Sequence, residues 1–149
     1  MKIGSFSAGS NVTGTLVDTD RLAILCHQNN AIALFDYAAV APYIEINVNG
    51  PSAHRYFDYD VSGNEALCYK DAVFISPHKF VGGPGTSGVL LAKRSLLYDV
   101  KPDRPAGGTV LFVNEKEHVY LGNVEELEEG GTPGILQDIR TGLIFQLKE

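Results

Sequence analysis

Hydrophobic and polar residues along the chain fall into blocks whose period changes several times. Between residues 15 and 29, Leu16, Leu22, Ile24 and Leu25 follow a start marked by Asp18, Thr19 and Asp20, which predicts a short amphipathic helix. Asn29 and Asn30 end it. Residues 31–35 are a continuous apolar run with Asp36 directly after it, the pattern of a strand buried on both faces. A second such run, residues 72–75, gives way to Ser76, Pro77, His78 and Lys79. Between the two, residues 47–70 mix Gly50, Pro51 and Gly63 with many polar and aromatic groups and read as a long excursion. Residues 80–88 are rich in glycine, and residues 89–92 predict a third strand. After a turn region at 102–108, residues 109–113 and 118–121 predict a hairpin. Thr132 is placed to cap a final helix with Pro133 at its first position and Ile135, Leu136, Ile139, Leu143 and Leu147 as its apolar stripe.

Helix, buried strands, hairpin and helix in this order predict an α/β architecture with a mostly parallel central sheet. In such sheets ligands gather outside the carboxyl ends of the strands, where Asp36 and the group at 76–79 fall. The length, 149 residues, suits one domain, and 44% hydrophobic with 20% charged residues is an ordinary globular composition. A net charge of −6 argues against nucleic acid or an anionic membrane as partner. It does not argue against an anionic cofactor, which local donors decide. Cys26 and Cys68 lie far apart and form no CxxC pair, so neither a disulfide framework nor a zinc site is indicated. Lys2 leads into a Gly/Ser-containing stretch instead of an apolar leader, and no run approaches the ~20 apolar residues of a membrane span. The expectation is a cytoplasmic location. Both ends read as cut, the second inside a helical run at Phe145 to Glu149.

The strand ends carry groups with a shared chemistry. A pyridoxal-phosphate (PLP) enzyme needs an amine to join the cofactor as a Schiff base, a carboxylate to hold a proton on the pyridine nitrogen, and donors around the phosphate. Lys79 can supply the first, Asp36 the second, and Ser76 with His78 part of the third. The segments Leu34-Phe35-Asp36-Tyr37-Ala38-Ala39 and Phe74-Ile75-Ser76-Pro77-His78-Lys79-Phe80 resemble the cofactor core of class V aminotransferases, a group that includes cysteine desulfurases and selenocysteine lyases. Two further stretches agree, residues 7–14 and 129–133. The resemblance implies a fold-type I PLP-dependent transferase acting on a small amino-acid substrate, with the chain as part of its large domain. It implies that Lys79 carries the cofactor, that Ser76 and His78 contact its phosphate, and that Asp36 pairs with its ring nitrogen. It places Asn11 near the ring and, in a homodimer, Thr132 at the phosphate of the neighbouring subunit.

The chain also departs from the desulfurase pattern. Ala39 stands where the family usually has a glutamine that bonds the cofactor's 3′-oxygen, and the stretch at 47–70 lengthens the gap between Asp36 and Lys79. The resemblance puts the glycine-rich phosphate turn, the ring-stacking residue, the substrate-binding arginine and the desulfurase nucleophilic cysteine outside these residues. Two other readings remain open at this point: a non-catalytic module that serves folding or dimerisation, and a nucleotide-binding domain built on the glycine run at 82–85. That run lacks the Gly-Lys-Ser/Thr ending of a P-loop. His27, His54 and His118 have no metal-ligand spacing and read as surface or packing residues. Glu125, Glu126, Glu128 and Glu129 read as a solvated face.

Overall fold

A computed structural model of the chain describes residues 1–52, 56–97 and 101–149. Four strands form its main sheet, in the order β1 (Lys2–Ser7), β2 (Ala31–Asp36), β3 (Ala72–Ile75) and β4 (Val89–Ala92). The first three run parallel and β4 is antiparallel to β3. The alternation of small, hydroxyl-bearing and apolar residues in β1 is too weak a period-2 signal to single it out from the sequence. Pairing with β2 along its full length is what makes it a strand, from Lys2 opposite Ala31 to Ser7 opposite Asp36.

Helix α1 (Thr19–Gln28) carries the chain from β1 back to the start of β2. It begins at Thr19, four residues after the start of the expected range at 15, because the Asp18 carboxylate accepts the Arg21 amide hydrogen and caps it there. Leu16 lies ahead of the helix, paired with Gly9 in an isolated bridge, and Leu25 faces outward. The buried side of α1 is instead made by Ala23, Ile24 and Cys26. At the other end Asn30 takes a left-handed φ of 53°, which asparagine tolerates better than most residues.

The register puts Phe6, Phe35, Val73 and Leu91 in one row across the sheet, and Ser7, Asp36, Phe74 and Leu90 in the next. Successive rows point to opposite faces. Phe35 and Val73 are fully buried in a core shared with Ala23, Cys26, Tyr37 and Ile144. Asp36, Phe74 and Leu90 are exposed. The continuous apolar runs therefore mislead in one respect: among the described residues only one face of the sheet is covered.

Among the described residues, the excursion at 47–70 contains a single 3₁₀ turn, Glu65–Leu67, as regular structure. It is tied down by buried polar groups. The Lys70 ammonium meets the Asp20 carboxylate at 2.6 Å and also donates to the carbonyls of Gly50 and Cys68. Asp20 in turn accepts from the amide and hydroxyl of Ser52. His27, stacked on Tyr69 with ring centres 3.9 Å apart, sets one ring nitrogen against the Leu67 carbonyl and the other against Asp71.

Beyond the sheet, β5 (Val110–Val113) and β6 (His118–Tyr120) form the expected hairpin, followed by the one-turn helix α2 (Val124–Glu128) and by α3 (Ile135–Lys148). Two expectations for α3 fail. Its N-cap is Gly134, with no side-chain cap, so Thr132 and Pro133 precede the helix instead of starting it. The stripe of Ile135, Leu136, Ile139, Leu143 and Leu147 is exposed, and the buried residues are Thr141 and Ile144. Polar tethers decide this orientation: Thr141 accepts from the Ser87 amide, Ser87 donates its hydroxyl to Asp138, and Phe145 meets Phe80 edge-on at 5.3 Å.

Candidate active site at the carboxyl ends of β2 and β3

Asp36 closes β2 and the segment at 76–79 follows β3, its parallel neighbour. Pairing of Asp36 with Phe74 sets Ser76 two residues beyond the rung that Asp36 occupies. Residues Pro77–Lys79 form one 3₁₀ turn, entered from Ser76 and begun by a proline whose fixed φ suits the first position of a helical turn. Lys79 and Phe80 return amide hydrogens to the carbonyls of Ser76 and Pro77. Pro77 and Phe80 are buried on the core side while His78 and Lys79 are exposed, so the turn is anchored by its apolar members and presents its basic ones.

The glycine run lies directly behind this turn. Gly82 has a φ of +77°, and a Cβ on Gly83 would stand 2.1 Å from the Pro77 carbonyl oxygen. Its use is close backbone approach, with no phosphate-loop geometry required, and Thr86 locks it by donating to the Gly83 carbonyl.

The Asp36 carboxylate accepts the Ala38 amide hydrogen through Oδ1 at 2.7 Å. Its second oxygen, the Ser76 hydroxyl, the His78 ring and the Lys79 ammonium have no hydrogen-bond or ionic partner among the described residues. One exposed carboxylate at a strand end and a hydroxyl, imidazole and ammonium at the next fit a cofactor with a protonated ring nitrogen at one end and a phosphate at the other. Lys79 lines a shallow pocket with Pro42, Tyr43, Phe80, Ile144 and Lys148, and Asp36 lies outside it. The described residues thus place the two strand ends side by side without closing a single cavity around them.

The remaining candidates lie on other segments. Asn11 is exposed in a turn that follows β1, held by Ser10 Oγ accepting the amides of Val12 and Thr13. Since Ser7 pairs with Asp36, this turn leaves the sheet at the same end as the other site residues. Thr132 is exposed just ahead of α3, and nothing in the described residues joins it to the others.

Neither cysteine is at this end in a reactive setting. Cys26 and Cys68 are buried, and burial, with the Asp71 charge adding to it, pushes the Cys26 thiol above its ordinary range. His27 is a packing residue, His118 is exposed beside Tyr120, and His54 lies outside the described residues. The glutamates at 125, 126, 128 and 129 are exposed on and just after α2. Among the described residues no helix is long and apolar enough to cross a membrane. Sequence reasoning overlooks Tyr37 and Thr19. The Tyr37 hydroxyl donates to Thr19 Oγ1 at 3.1 Å in the core beneath Asp36, a contact across 18 residues that no local pattern announces.

The family described as Aminotransferase class-V matches residues 1–54. A probable cysteine desulfurase of Halalkalibacterium halodurans is 31% identical over 151 residues, which cover 99% of this chain and 32% of that protein. One from Treponema pallidum is 33% identical over 129 residues, 87% of this chain and 28% of that protein. Among solved structures, the apo cysteine desulfurase from Thermococcus onnurineus NA1 superposes with a TM-score of 0.77 at 23% identity, covering 99% of this chain and 32% of that one. The cysteine desulfurase CsdA from Escherichia coli gives 0.68, also at 23% identity, over 98% and 32%. The chain spans about a third of the length of these relatives. The chain is thus similar in sequence to probable cysteine desulfurases and, over residues 1–54, to the class V aminotransferase family, and it shares the α/β fold of the solved cysteine desulfurases.

Proposed function

We propose that the protein to which this chain belongs is a PLP-dependent enzyme acting on an amino acid, of the class V aminotransferase and cysteine desulfurase kind, with Lys79 as its Schiff-base lysine. The observation that carries this reading is the placement of Asp36 and residues 76–79 at the carboxyl ends of two adjacent parallel strands, with one Asp36 carboxylate oxygen and the polar side-chain groups of Ser76, His78 and Lys79 unengaged among the described residues. The cofactor, when bound, supplies an electron sink for bond cleavage at the substrate's α-carbon. Lys79 then moves the proton at that carbon as general base and acid. Asp36 holds a proton on the ring nitrogen, and Ser76 and His78 bind the phosphate. Asn11 borders the ring, and Thr132 reaches the phosphate of the partner subunit in a homodimer. The protein is placed in the cytoplasm, whose reducing conditions suit a chain with two buried cysteines and no CxxC pair. Similarity to probable cysteine desulfurases favours an enzyme over a non-catalytic module.

The test is cofactor uptake by the full-length protein. Wild type incubated with PLP gains a visible absorption band, and borohydride reduction followed by peptide mapping finds the label on Lys79. Lys79→Ala loses the covalent label and about 10²–10⁴-fold in turnover, the usual scale of a lost acid–base group. A label that persists in Lys79→Ala overturns the assignment.

A further inference from the structure

The Asp36 side chain is exposed, so packing does not set its direction. The hydrogen bond from the Ala38 amide to Oδ1 does, and the direction of that amide is fixed by the backbone angles of the residue between them, Tyr37. Tyr37 is held on all sides. Its amide donates to the Phe74 carbonyl at 2.9 Å, and its own carbonyl accepts from Val40 and Ala41 at 3.0 and 2.8 Å. Its ring is buried beside Phe35, and its hydroxyl donates to Thr19 Oγ1. Thr19 is the first residue of α1, and the next residue, Asp20, is locked by Ser52 and Lys70. The hydroxyl of Tyr37 is therefore tied to one of the most heavily bonded points of the chain.

We infer, on the PLP reading above, that Tyr37 is a positioning residue for Asp36: anchored on Thr19, it fixes the turn that aims the Asp36 carboxylate at the cofactor's ring nitrogen. Phenylalanine would fill the same space and keep every backbone bond, but it would release the ring from α1. Burial keeps the phenol protonated and able to donate far above neutral pH, with the Thr19 bond opposing and the Asp20 charge reinforcing that effect.

The experiment uses the full-length protein loaded with PLP. The dissociation constant for PLP and the pH midpoint of the bound cofactor's visible band are measured for Tyr37→Phe, Thr19→Val, Thr19→Ser and Asp36→Asn. Tyr37→Phe and Thr19→Val are expected to weaken PLP binding about three- to tenfold, the scale of one buried hydrogen bond. Both should move the spectral midpoint in the direction that Asp36→Asn moves it, while Thr19→Ser, which keeps the acceptor, stays at wild-type values. Thr19→Val removes the same bond from the other side and decides the matter if Tyr37→Phe does not fold. A lowered melting temperature with an unchanged midpoint and PLP affinity in both variants makes Tyr37 purely structural and overturns this inference alone. Wild-type protein that takes up no PLP overturns the cofactor reading and this inference with it.

Discussion

A side chain at residue 83 would have nowhere to go, since its Cβ would meet the Pro77 and Phe80 carbonyl oxygens at 2.1 and 2.8 Å. Both atoms belong to the backbone turn that presents His78 and Lys79, and neither can rotate aside. Gly83→Ala is therefore expected to lower stability by about 1–3 kcal/mol, as overpacking does, and to weaken PLP uptake by displacing the lysine turn. Chemical denaturation and a PLP titration on the full-length variant check the two effects. The residues of the candidate site differ in how visible they are beforehand. Asp36, Ser76, His78 and Lys79 can be picked out because each directly follows a short apolar run, and a strand end is a recognisable place for chemistry. Tyr37 cannot, because its role depends on a partner 18 residues away on another element.

At the level of elements, α1 joins the sheet to the excursion through a buried ion pair. Removing one member of such a pair strands the other in a poor solvent. Lys70→Met is expected to cost about 3–5 kcal/mol, with Asp20→Asn in the same chain restoring part of the loss. Urea unfolding of the two variants, followed by far-ultraviolet circular dichroism, checks this; equal stability of single mutant and wild type would show the pair to be idle. Lys70 and Asp20 stand 50 residues apart, which explains why the excursion reads as a structureless loop from its sequence. The strands β2, β3 and β4 are legible because continuous apolar runs mark them. By contrast β1 exists through its pairing, and α2 rests on one turn capped by Asn123. The orientation of α3 reverses the expectation from its apolar stripe, because Thr141, Asp138 and Phe145 dock it from the other side.

For the molecule as a whole, one buried phenol ties folding to alkaline pH. Burial above all pushes the Tyr37 hydroxyl up to about 12, with Thr19 opposing and Asp20 adding to the shift, whereas an unfolded tyrosine titrates near ~10. Below the unfolded value both states keep the proton and the contribution to stability is complete. Between the two values the unfolded chain releases a proton that the folded chain retains, so stability falls as pH rises, by about 2–3 kcal/mol from this group. Thermal unfolding followed from pH 9 to pH 12 should show this decline, and Tyr37→Phe should make it shallower. The exposed stripe of α3 has a different kind of consequence. Ile135, Leu136, Ile139, Leu143 and Leu147 line one side of a helix whose other side is pinned by polar tethers, so the stripe cannot turn inward without breaking them. Prepared alone in water, the chain is therefore expected to adsorb to air–water and plastic surfaces, and recovery from solution with and without mild detergent checks this.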